Sequence, residues 1–176
     1  MMKVRVILLS LMLITYNALA QVSTINETII FLFRHAEART HLTMKDTPNP
    51  ELNNAGVDRA ELLKRTLANA GLTEIYSTEY NRTMQTAQPL AESLGLDVQS
   101  YDPKDLPGFA AKLRRKKGRF AVSGHSNTTP ELVKLLGGDP GEPINDVTPF
   151  DRIYLLIINE DGPTQTILLK YGANYD

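Results

Sequence analysis

The chain has no cysteine, no tryptophan and only three histidines in 176 residues. Without cysteine there are no disulfides, thiolate metal sites or thiol nucleophiles, so an apolar core must hold the fold together. No His-Glu-x-x-His helix or Asp-rich calcium loop occurs, and the reading is that neither a metal nor another cofactor is required. An excess of one charge is missing too: 19 basic against 20 acidic residues give a net charge of −1, which argues against nucleic acid as a partner. Nor is there a long hydrophobic run. Val6 to Ile14 follows Lys3 and Arg5 and gives way to Ala18-Leu19-Ala20, roughly half the ~20 residues a membrane span needs. This pattern reads as a cleavable export signal over residues 1–20, implying a periplasmic or secreted protein with no stable membrane anchor. Residues 21–176 then suit one domain with a single core.

Strand and helix signals alternate along that domain. Thr28 to Phe33 is a continuous β-branched and aromatic run, the mark of a strand buried on both faces. Leu52 to Ala70 carries Val57, Ala60, Leu63 and Leu67 at helical spacing ahead of Gly71. Glu74 to Ser77 reads as a strand, Glu79 to Leu94 as a helix stopped by Gly95, and Asp97 to Tyr101 as a weak strand. A helix over Leu106 to Lys117, a strand over Arg119 to Ser123 and a helix over Pro130 to Leu136 follow. Arg152 to Ile158 and Thr164 to Tyr171 flank the turn sequence Asn159-Glu160-Asp161-Gly162-Pro163 and read as a hairpin. The expected fold is therefore α/β: a mainly parallel central sheet with helices on both faces and an antiparallel C-terminal hairpin. Such sheets bind ligands beyond the carboxyl ends of their strands.

Three segments place chemistry at those ends: Phe33-Arg34-His35-Ala36-Glu37, Ser77-Thr78-Glu79-Tyr80-Asn81-Arg82-Thr83-Met84-Gln85-Thr86-Ala87, and Val122-Ser123-Gly124-His125-Ser126. Two histidines and two arginines delivered there suit the holding of a phosphoryl group while a histidine attacks phosphorus. Guanidinium forks bind the equatorial oxygens, and the attacking imidazole must be neutral. Adjacent parallel strands would bring Arg34, His35 and His125 into one pocket although about 90 residues separate them.

In these segments the chain resembles the histidine phosphatase superfamily, in its branch of small phosphoglycerate-mutase-like domains, over roughly residues 29 to 171. Arg34-His35-Ala36 is similar to the family's Arg-His-Gly motif, with alanine in place of glycine. The resemblance implies that His35 is the phosphorylated nucleophile, that Arg34 and Arg82 bind the phosphate, and that His125 steadies the transferred group. It also places an acid after the helix that follows the second arginine, where Asp102 is the nearest match. Asp105 and Glu37 stay open as alternatives, and Asp102 and Asp105 both also suit helix capping. The implied activity is metal-independent hydrolysis of a phosphorylated small molecule or envelope component. The alternatives are a mutase, a phosphatase of phosphohistidine proteins, and a non-catalytic binder of phosphorylated ligands.

Lys112 to Arg119 carries six cations in eight positions, read as a solvated helix end, with an envelope polyanion as the sharper alternative. Substrate selection is assigned to the loops 36–51 and 139–150, and oligomeric state is left open.

Overall fold

The computed structural model describes residues 27–39, 49–145, 148–159 and 162–172. Residues 1–20, read from the sequence as an export signal, lie outside them, as does His41. Six strands and four helices occur among the described residues: β1 Thr28–Arg34, α1 Asn54–Leu67, β2 Glu74–Ser77, α2 Asn81–Leu94, β3 Val98–Ser100, α3 Leu106–Arg114, β4 Gly118–Gly124, α4 Thr128–Leu135, β5 Arg152–Ile158 and β6 Gln165–Lys170.

The strands form one sheet in the order β3-β2-β4-β1-β5-β6. β1, β2, β3 and β4 pair in parallel, while β5 runs antiparallel to β1 and β6 antiparallel to β5. This is the mixed, mainly parallel sheet with a C-terminal hairpin that the strand-helix alternation predicts. Alternate residues of each strand feed opposite faces. Ile30, Leu32, Tyr76 and Val122 pack under Phe109 and Leu113 of α3 and Leu132 and Val133 of α4. Phe31, Phe33, Ile75 and Ala121 pack under Leu63 and Leu67 of α1 and Leu90 and Ala91 of α2. Each fully buried Leu or Phe contributes about 2 kcal/mol, so two such layers suffice without cross-links.

Several boundaries differ from the sequence reading. α1 begins after Asn53, whose side chain accepts from the Gly56 N–H (2.9 Å). Its buried stripe is Gly56, Arg59, Ala60, Leu63 and Leu67, while Val57 is 53 % exposed. Gly56 takes the inward position because a Cβ there would lie 2.1 Å from the Glu37 carbonyl oxygen; helix and loop meet backbone to backbone. α3 stops at Arg114 instead of running to Lys117, and beyond it the Lys116 ammonium pairs with Glu74 (2.6 Å). The basic run thus has structural work. Arg114 donates to the Leu136 carbonyl beyond α4 (2.8 Å) and Arg119 to the Ala70 carbonyl beyond α1 (2.9 Å). Both cations meet the negative ends of neighbouring helices, not of their own. No helix among the described residues is long and apolar enough to cross a membrane.

Candidate active site

The parallel pairing of β1 with β4 sets Arg34 opposite Gly124. His35 and His125 therefore emerge side by side from the centre of the sheet. Their rings meet edge to face, with centroids 5.6 Å apart, and the His35 N–H bonds the Gly124 carbonyl (2.8 Å). Gly124 admits no side chain: a Cβ would sit 2.8 Å from Thr129 Oγ1 and 3.0 Å from both Thr128 Oγ1 and the Tyr101 hydroxyl. The Ser-Gly-His segment can follow β4 this closely only with glycine at that point.

His35 is 9 % exposed and its Nδ1 lies 2.7 Å from the Ala36 carbonyl oxygen. A carbonyl only accepts, so the proton is on Nδ1 and Nε2 carries the lone pair. Burial, and then the nearby Arg82 and Arg34 charges, outweigh that bond and lower the ring's pKa to about 3. The imidazole is neutral throughout the physiological range.

His125 is fixed differently. An Arg82 guanidinium nitrogen donates to its Nδ1 (3.2 Å), so Nε2 carries the proton and donates to Thr78 Oγ1 (2.9 Å). Thr78 passes the chain to Thr83 Oγ1 (2.8 Å), whose hydroxyl reaches the Tyr80 carbonyl (2.8 Å). Burial, Arg82 and Arg34 lower the His125 pKa to about 4.

Arg82 opens α2 and lines, with His35, His125, Tyr80, Lys104 and the α4 N-terminal residues Ser126 to Thr128, a cleft of about 380 Å³. No carboxylate is among the described lining residues. Arg82, Lys104 and the positive end of α4 make the cleft favourable for an anion. Arg34 stands behind it: its guanidinium lies 3.8 Å from the centre of the Phe150 ring and donates to the Asn145 and Thr148 carbonyls (3.3 and 3.4 Å). Thus the loop 139–150, in which the sequence shows no motif, seats an arginine. The neighbouring Ala36 N–H is bonded to Thr86 Oγ1 (2.9 Å), which ties the histidine turn to α2.

The three candidate acids separate. Glu37 chelates Arg59 through Nε (2.8 Å) and a terminal nitrogen (2.7 Å), and Arg59 is 2 % exposed. Asp105 caps α3 by accepting from the Gly108 N–H (3.0 Å). Asp102 accepts from the Lys104 N–H (2.8 Å) and lines a second, larger hollow that adjoins the cleft at Tyr80, Pro103 and Lys104. Glu79 lines that hollow as well. Sequence reasoning gave no role to Thr78, Tyr80, Glu79 or Arg59. The first three lie within the quoted second segment, just beyond β2, where the strand-end rule applies as much as to the histidines. Arg59 carries no local signal, being a cation on an otherwise apolar helix face.

A buried histidine pair at the carboxyl ends of adjacent parallel strands, with an arginine at a helix start beside it, gives this α/β domain a cationic cleft suited to an oxyanion. The sequence profile of the histidine phosphatase superfamily (branch 1) matches residues 30–103, the stretch that holds Arg34, His35 and Arg82. A protein named probable phosphoglycerate mutase GpmB of Yersinia pestis is 34 % identical over 80 residues, 43 % of this chain and 35 % of that protein. The chain thus matches about a third of that relative's length. By structure the chain is similar to the protein histidine phosphatase SixA solved with tungstate, with TM-score 0.64 and 19 % identity over 81 % of this chain and 96 % of that one. Mycobacterial glucosyl-3-phosphoglycerate phosphatase gives TM-score 0.62 and 13 % identity over 84 % and 99 %. These structural likenesses establish the shared fold. The sequence match over residues 30–103 and the shared fold make the chain similar to the histidine phosphatase superfamily, in its phosphoglycerate-mutase-like branch.

Proposed function

We propose that the protein is a metal-independent phosphatase that hydrolyses phosphomonoesters through a phosphohistidine at His35. The observation that carries this reading is the unprotonated Nε2 of neutral His35, set beside Arg82 and His125 in a cleft whose described lining holds no carboxylate. An oxyanion enters a cationic pocket lined by the unprotonated His35 Nε2, while the His125 Nδ1 lone pair is taken by Arg82. Nε2 attacks phosphorus as the ester oxygen leaves; water then attacks the phosphohistidine, returning His35 and releasing phosphate. Arg82 and His125 are placed to hold the equatorial oxygens, and Arg34 adds positive charge from behind. Asp102 is proposed as the acid that protonates the leaving oxygen and then activates water. In its support, Glu37 is paired with Arg59, Asp105 caps α3, and Asp102 lines the hollow that adjoins the cleft at Tyr80, Pro103 and Lys104.

The N-terminal pattern of residues 1–20 supports export, hence a substrate outside the cytosol. Mutases resembling this family work on cytosolic metabolites, so the export pattern of residues 1–20 also favours hydrolysis over a mutase reaction.

Phosphate release from an aryl phosphate in the presence of chelator tests the reading. Turnover blocked by tungstate, and reduced at least about 1,000-fold in His35→Ala, is expected. Tight tungstate binding without release of phosphate from any ester would instead indicate a binding domain.

A further inference from the structure

The histidine cleft continues into a hollow of about 660 Å³ lined by Asn49, Glu79, Tyr80, Ser100, Asp102 and Lys104, among others. Tyr80, Pro103 and Lys104 border both spaces. A phosphoryl group held at His35 would thus have its ester substituent pointing into room enough for a ring with side groups, a volume typical of small-molecule sites.

Tyr80 forms the wall between them. Its ring stands edge-on to His125, at 5.0 Å and 87°, and the Arg82 guanidinium carbon sits 4.8 Å from its centre. These contacts fix the ring, yet the residue is 39 % exposed. An immobilised aromatic with an open surface is suited to stacking on a planar group at little entropic cost. The described lining differs in charge across the same wall: the cleft presents Arg82 and Lys104 and no carboxylate, whereas the hollow adds Glu79 and Asp102 beside Lys104.

We infer that the hollow is the leaving-group subsite, that Tyr80 stacks on a planar leaving group, and that Glu79 selects a cationic substituent on it over an anionic one. The substrate class is an aryl or heteroaryl phosphate bearing an amine, not a sugar-acid phosphate. The inference rests on the phosphatase reading above.

Its test compares kcat/KM on three esters: O-phosphotyramine, the phosphate ester of 3-(4-hydroxyphenyl)propanoic acid, and glycerol phosphate. The first two share a phenol leaving group and differ in the sign of the distal charge. Wild type should prefer the ammonium ester by about fivefold, and Glu79→Lys should erase or reverse that preference. Tyr80→Leu should lower kcat/KM on both aryl esters about tenfold more than on glycerol phosphate, with Tyr80→Phe restoring the aryl values. Tungstate inhibition of each variant monitors the phosphate cleft. Turnover without discrimination between the aryl esters, or equal losses on all three in Tyr80→Leu, would overturn the subsite while leaving the phosphatase reading intact. No turnover of any ester would overturn both.

Discussion

At His35 one carbonyl sets the tautomer, because the Ala36 oxygen accepts a hydrogen bond from Nδ1–H and leaves Nε2 unprotonated. His125 is held in the opposite tautomer by Thr78 and Arg82. A bound oxyanion that draws Arg82 away needs a donor at His125 Nδ1 while Thr78 keeps the Nε2 proton. With Thr78 kept as acceptor only the imidazolium supplies both, so we expect anion binding to raise the His125 pKa from about 4. Tungstate, a dianion at neutral pH, should therefore bind with uptake of about one proton. Calorimetry in two buffers of different ionisation heat measures this, and the uptake should vanish in His125→Asn. Equal heats for wild type in both buffers would mean that His125 stays neutral.

Among the elements, the loop after β1 depends on α1. Glu37 and Arg59 form a largely buried pair, and Arg59 also donates to the Tyr171 carbonyl (3.4 Å) at the end of β6. Glu37→Gln leaves a buried guanidinium without its counter-charge and should cost about 3 kcal/mol in urea unfolding. If Glu37 only positions the loop, this variant keeps the wild-type ratio of alkyl to aryl phosphate turnover. A selective loss on alkyl esters, whose leaving oxygen needs a proton most, would make Glu37 the acid instead. The sequence showed the elements well because β-branched runs and helical spacing are local signals, and it showed His35 and His125 because both follow such runs. Val57 misled, since the inward position one residue earlier belongs to a glycine whose reason is a carbonyl from another segment. The seat of Arg34 on Phe150 and the burial of Arg59 are likewise tertiary facts with no trace in local pattern.

Across the whole molecule, the parallel β1–β4 pair joins the two halves of the site, and the price is two histidines buried uncharged. In the unfolded chain each takes up a proton near its ordinary pKa of 6.5, whereas the folded values are about 3 and 4. Between those limits the unfolded state binds more protons, so stability present above pH 6.5 is lost as pH falls. The loss should approach about 1.4 kcal/mol per pH unit for each histidine. Urea unfolding from pH 6.5 to 4.5 should show this slope, and His35→Ala with His125→Ala should flatten it; an unchanged slope in the double variant would place the acid sensitivity elsewhere. The central claim, however, is covalent. Rapid quenching of the enzyme during turnover of a ³²P-labelled ester should trap a label that is acid-labile, alkali-stable and located on His35. Label on a serine, or none under conditions of steady turnover, would contradict the account.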